Sequence, residues 1–261
     1  MISSAHHFTI DAGVDAIIKH VGKDIVLALP LGLGKAVHLT NALYERVSGD
    51  PSMTLHIVTA LTLETPNSSD PVGKRFLKPI IDRSYSSVTE PLYARARRRG
   101  VLPDNIRVSE FFLNPGELLS NRDAQQHYMS SNYTHAIRDL ANMGVNVLAQ
   151  LIAPPSSAND RYSLSCNPDV TLDLIEDLQS QNKSLFVVGQ VNKQLPYLKG
   201  AAEVNASVFD IVIDDPSSSN ANPTNDFPLF PLRLGPVGSA DYAIALHVAT
   251  LIKDGGTIQI G

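Results

Sequence analysis

The sequence predicts an α/β fold, an open and mostly parallel sheet with helices on both faces. Six apolar, β-branched runs recur along the 261 residues. Several are apolar nearly throughout, the pattern of strands covered on both sides. Stretches of helical periodicity separate them, and strands alternating with helices over a whole chain make a layered α/β domain.

In chain order the runs are DIVLALP (24–30), MTLHIVTAL (53–61), NIRVSEFFL (105–113), GVNVLAQLIA (144–153), SLFVVGQV (184–191) and VFDIVIDD (208–215). Between the first two, residues 35–48 carry Ala36, Val37, Leu39, Leu43 and Val47 at roughly helical spacing. Residues 169–181 repeat that pattern with Val170, Leu172, Leu174, Ile175 and Leu178, behind a Pro168 suited to a helix entry. A third helix is expected over 239–253, stopped by Asp254, Gly255 and Gly256. The densest polar stretches, 64–71 and 214–228, read as surface excursions. No internal repeat is visible, and GTIQIG stops at Gly261 as a new strand begins, the look of a chain cut short.

Composition narrows the function classes. Lys plus Arg number 21 against 26 Asp plus Glu, a formal charge of -5, with 43% hydrophobic residues. That balance is foreign to a disordered chain and to a basic nucleic-acid wrapper. The single cysteine, Cys166, excludes an intrachain disulfide framework and a cysteine-rich zinc site. No apolar run reaches the roughly 18 residues that cross a bilayer, and MISSAHHFTIDAG lacks the basic start and apolar core of a signal peptide. The expected location is cytoplasmic, with no membrane and no nucleic-acid partner.

Two loops draw attention. In LPLGLGKAVHLTNAL (29–43), Gly32 and Gly34 allow close backbone approach, and the amides opening the next helix, with Lys35, could hold an anion. The spacing satisfies neither the dinucleotide fingerprint nor the phosphate loop, and a plain strand-to-helix turn is an equal reading. APPSSANDRYSLSCNPD (153–169) follows the fourth run, where open α/β sheets bind ligands, and offers Asn159, Asp160, Ser163 and Ser165. For each of these, a turn-capping role is the competing reading. The eight histidines form no metal pattern, and no serine-elbow motif is present. Arg95, Arg97, Arg98 and Arg99 form the one dense basic patch, read first as a solvated helix end before Gly100. FFLNPGELL and YMSSNYTHAIRDL are pocket candidates by position, with Asn132 equally able to cap a helix.

The order and spacing of LPLGLGKAVHLTNALYERV (29–47), FFLNPGELL, SNYTHAIRDLANMGVNVLAQLIAPP (131–155), NDRYSLSCNPDVTLDLI (159–175) and YAIALHVATLIKDGGTIQIG (242–261) resemble the N-terminal half of the acetyl-CoA hydrolase/transferase family. That family is a branch of the class I coenzyme A transferases. The resemblance implies a CoA-transferase-like fold for residues 1–261, with 239–261 leading toward a second domain absent from this chain. It also implies exchange of CoA between carboxylic acids, or its release to water, through a glutamyl-CoA thioester on that second domain. No catalytic residue, no metal site and no tightly bound cofactor is therefore expected within 1–261, and a CoA thioester enters as substrate. Pro30, Gly32, Gly34 and Lys35 match the family's first glycine-rich loop, and Asn159, Asp160 and Ser163 its second polar loop. Arg161 stands near the family's histidine, and the glycine that follows that histidine is missing. The implied partners are acyl-CoA, a small carboxylate, the missing C-terminal domain and, as an option, further copies of the chain. The rival readings are a stand-alone α/β ligand-binding or regulatory protein without catalysis, and a nucleotide-dependent enzyme with Gly32 and Gly34 as its phosphate cradle.

Overall fold

The computed structural model describes residues 7–155, 161–216, 224–231 and 235–258, and the chain divides into two compact units, Met1–Phe230 and Pro231–Gly261. The strands of the first unit are β1 (His7–Phe8), β2 (Asp24–Ala28), β3 (Thr54–Thr59), β4 (Ile106–Glu110), β5 (Val147–Ile152), β6 (Arg161–Ser163), β7 (Phe186–Val191), β8 (Glu203–Asn205) and β9 (Ile211–Ile213). Its helices are α1 (Ile10–Val21), α2 (Val37–Ser48), α3 (Pro71–Ser84), α4 (Leu92–Arg99), α5 (Arg122–Gln126), α6 (Tyr133–Asn142) and α7 (Thr171–Ser180). Seven strands form one open sheet in the order β1-β9-β7-β5-β2-β3-β4, every neighbouring pair parallel, and β6 and β8 form a separate antiparallel pair.

All six apolar runs are strands of the large sheet, because residues that alternate along each strand feed two cores. Ile25 and Leu27 of β2, Leu55 and Ile57 of β3 and Val108 of β4 face Val14, Ile17, Leu39, Leu43 and Val47 of α1 and α2. Ala28, Val58, Leu148, Val187 and Val212 face the opposite way, onto Leu140 of α6 and Leu174 and Leu178 of α7. Helices therefore lie on both faces, as the near-continuous apolar strands require.

The short elements escape sequence reading. β1 has two residues and β6 and β8 three each, too few for a period to show. The polar stretch 64–71 ends in a helix start: Asp70 accepts a hydrogen bond from Gly73 N at 2.7 Å, and Pro71 occupies the first turn of α3. Asn132 does cap α6, accepting from Thr134 N and His135 N at 3.1 and 3.2 Å. Gly100 ends α4 with φ 68°, the left-handed conformation that a glycine takes without strain.

The arginine patch is a correction. Arg95 and Arg99 are exposed, but Arg97 is buried against the Glu110 carboxylate and Arg98 bridges Glu64 and Glu117 at 2.8 and 2.9 Å. Consecutive residues of a helix point about 100° apart around its axis, so one basic run splits between a core ion pair and solvent.

In the second unit, α8 (Ser239–Leu251) forms where it is expected, with Gly255 at φ 78° in the stop that follows. Tyr242, Ile244, Leu246, Val248 and Leu251 are exposed on it. No helix among the described residues is long and apolar enough to cross a membrane.

Candidate functional site

The chain runs outward from β2 through β3 to β4, then returns to the other side of β2 with β5 and continues through β7 and β9. The strand order thus reverses between β2 and β5, and ligands of open α/β folds bind at the carboxyl ends of the strands beside such a reversal. The loop after β2 and the loop after β5 both leave from that end, and they touch. Leu31 N donates to Asp169 Oδ2 at 3.1 Å, and the backbone of Lys35 bridges Gln150 of β5.

Gly34 is where the loops come closest. A Cβ built there would stand 2.7 Å from Asn167 Cβ and 2.8 Å from Pro30 Cγ, below any ordinary contact. Gly34→Ala is therefore expected to force the two loops apart and to lower stability by about 1–3 kcal/mol in urea unfolding. A loss under 0.5 kcal/mol would mean that the loops slide freely.

Lys35 follows with its side chain turned inward. Its amine donates to Pro30 O and Ala60 O, both at 2.8 Å, and to Thr59 Oγ1, so all three of its protons are committed. Burial lowers its pKa from 10.5 to about 8, against the pull of Glu110 and Asp169. Below pH 8 the ammonium is held in both folded and unfolded chains at the cost of its desolvation. Between pH 8 and 10.5 only the unfolded chain keeps the proton, so this penalty fades as pH rises. The stability of the wild type relative to Lys35→Met should therefore increase from pH 7 to pH 10, by up to about 3 kcal/mol. Urea titrations of both proteins at the two pH values read this difference, and an unchanged or falling difference would contradict the buried charge.

The loop after β2 borders a small apolar cleft of about 50 Å³, closed by Leu151 at the end of β5 and by residues 88–91 and 227–230; among the described residues the loop after β5 contributes none to its wall. Leu33, Val37, Leu63, Leu151, Phe227 and Phe230 supply much of its wall, and Gly32, at φ 46°, lies on its rim. Lys35 and Thr89 are the two polar side chains on that wall among the described residues, and no carboxylate lines it. Segment 224–230 is tied across the cleft by Asn192, whose Nδ2 donates to Phe227 O at 3.1 Å while its Oδ1 accepts from Phe227 N at 3.3 Å.

The residues singled out in the sequence separate into three groups. Pro30, Gly32, Gly34 and Lys35 stand at the reversal point. Ser163 is fully buried in β6, its hydroxyl donating to Leu198 O at 2.7 Å and accepting from Ser165 N and Leu198 N at 3.1 Å. Asn159 and Asp160 lie outside the described residues. Cys166 is exposed, beside Asn167. Sequence reading missed Thr89, His38 and Gln190. The polar Gln190 inside the apolar run FVVGQV was the available signal, since a buried amide must be bonded to something.

No family model matches the sequence, and no curated protein matches it at a significant level. Among solved structures the chain is similar to RipA from Yersinia pestis, with 17% identity over 95% of this chain and 49% of that one and a TM-score of 0.56. A substituted form of RipA gives 16% identity, 97% and 52% coverage and a TM-score of 0.56. A 4-hydroxybutyrate CoA-transferase from Porphyromonas gingivalis is also similar, at 16% identity over 97% of this chain and 47% of that chain, with a TM-score of 0.44 that carries no argument. The chain spans about half the length of these structures. At such identities the likeness to RipA is one of fold: an open α/β domain built on a parallel sheet.

Proposed function

We propose that this chain is the first α/β unit of an acyl-CoA hydrolase or CoA-transferase and holds the acyl end of a CoA thioester in the cleft where the strand order reverses. The reading rests on the resemblance carried by LPLGLGKAVHLTNALYERV and YAIALHVATLIKDGGTIQIG. The observation that carries it furthest is an apolar cleft, at the reversal point, with no carboxylate on its wall among the described residues. Such a cleft suits a short hydrocarbon chain and leaves the nucleophile to come from elsewhere. A space of about 50 Å³ takes a few heavy atoms, so the nucleotide end of CoA would lie outside it.

In this reading a glutamate of a second domain, outside residues 1–261, attacks the acyl carbonyl and CoA leaves as thiolate. The thiolate then attacks the glutamyl carbonyl, frees the first acid and leaves glutamyl-CoA, which a second carboxylate or water resolves. The loop of Pro30, Gly32 and Gly34 borders the acyl group, while Lys35 and Ser163 brace the two loops from behind. α8 is apolar almost all round, and such a helix belongs under cover, which the second domain of the proposed enzyme would supply. The test is CoA exchange between butyryl-CoA and acetate. The isolated chain is expected to bind butyryl-CoA more tightly than CoA and to show no exchange. Exchange by the purified chain, or equal affinity for CoA and butyryl-CoA, would overturn the reading.

A further inference from the structure

We propose that Thr89 is the hydrogen-bond donor of the cleft and that it selects a ligand carrying a neutral carbonyl on a short apolar chain; this rests on the reading of the cleft as an acyl site. A chain of hydrogen bonds assigns the protons. Leu39 N donates to Gln190 Oε1 at 3.1 Å, which fixes the orientation of that amide. Gln190 Nε2 must then donate, to Thr224 O at 3.4 Å and to His38 Nδ1 at 3.3 Å. His38 Nδ1 is therefore the acceptor of the ring, and the proton of the neutral imidazole sits on Nε2. Nε2 lies 3.2 Å from Thr89 Oγ1 and donates to it. The Thr89 hydroxyl, having accepted, keeps its own proton for another partner, and among the described residues it has none.

Position and surroundings support the assignment. Thr89 lies on the wall of the cleft. Asn41 of α2 grips the backbone just after Thr89, donating from Nδ2 to Glu90 O at 2.9 Å and accepting from Leu92 N at 2.8 Å, which ties this segment to α2. Phe227 of the strap meets the His38 ring edge-on, with centroids 4.4 Å apart. Burial lowers the His38 pKa to about 4, which keeps the ring neutral, and its proton in place, at ordinary pH. The amine of Lys35 is bound to three protein oxygens, so among the described residues the side-chain proton left for a ligand on this wall is that of Thr89. A lone neutral donor in an apolar cleft matches a carbonyl oxygen, whereas a carboxylate would enter without a free counter-charge. His38 and Gln190 are positioning residues: they act on the ligand through Thr89.

The test uses S-ethyl thiobutyrate labelled with ¹³C at its carbonyl, with butyryl-CoA as a second probe. Long-range ¹H–¹⁵N NMR of the ligand-free protein should show the His38 proton on Nε2. Thr89→Val should weaken S-ethyl thiobutyrate about five- to tenfold, the effect of one lost hydrogen bond, and move the bound carbonyl stretch to higher frequency. Thr89→Ser should restore both, which separates the hydroxyl from a packing role. A proton on Nδ1, equal binding by Thr89→Val, or an unmoved carbonyl band would overturn the proposal. If the thioester binds through Thr89 but butyryl-CoA binds no tighter, the donor assignment stands and the CoA reading fails. If the wild type binds neither probe, both fall.

Discussion

Arg97→Met is expected to lower stability by about 3–5 kcal/mol, because it strands a buried carboxylate. Arg97 and Glu110 are each only 2% exposed, and the guanidinium meets Glu110 Oε2 directly. The other carboxylate oxygen, Oε1, accepts from Thr62 N at 3.2 Å and from the Thr62 hydroxyl, which also touches Tyr93 OH at 2.9 Å. Removing the arginine leaves that carboxylate charged and dry, or forces it to take up a proton. Removing both charges should be gentler: Arg97→Met combined with Glu110→Met is expected to be more stable than either single variant, since a well-packed apolar pair is often as good as an ion pair. Urea unfolding of the three proteins checks this. A single variant that loses less than about 1 kcal/mol would show that the pair is hydrated.

Leu27→Ala is expected to lower stability by about 2–5 kcal/mol. Leu27 is fully buried on β2, in register with Ile57 on one side and Val147 on the other, so its loss opens a cavity at the centre of the sheet. Phe76→Ala serves as the comparison. Phe76 is larger but 72% exposed on α3, and its removal should change stability by less than about 0.5 kcal/mol. Thermal or urea unfolding of both variants reads the contrast, and similar losses at the two positions would contradict the packing described.

How much of this was visible in the sequence depends on length and on distance. The six apolar runs were legible because strands such as VLAQLI in β5, FVVGQV in β7 and even the three-residue IVI of β9 are buried along their entire length, and burial on two faces writes an unbroken apolar run. β6 and β8 were not, since RYS and EVN are three residues of mixed polarity with no apolar run and no period. The junction of Gly32 to Lys35 with the loop after β5 followed from a general rule about strand ends, yet the inward turn of the Lys35 amine did not, because its oxygens come from β3 and the turns beside it. In YARARRRG, nothing local tells Arg97 from Arg99; the partner that distinguishes them, Glu110, stands on another strand. His38, Thr89 and Gln190 meet only in three dimensions, with the first pair 51 positions apart and His38 and Gln190 152 apart. Gln190 left the trace of a polar letter in an apolar run, whereas Thr89, in the polar stretch YSSVTEPL, left none.

In the function proposed above, the acyl end of a CoA thioester lies between the loop after β2 and the segment 224–230. Backbone NMR shifts of the isotopically labelled protein, followed during titration with butyryl-CoA and compared with CoA alone, test it most directly. The butyryl group is expected to add shifts at Gly32, Leu33, Thr89, Leu151 and Phe227 that CoA alone does not produce. Shifts indifferent to the butyryl group, or confined to residues away from this end of the sheet, would contradict it.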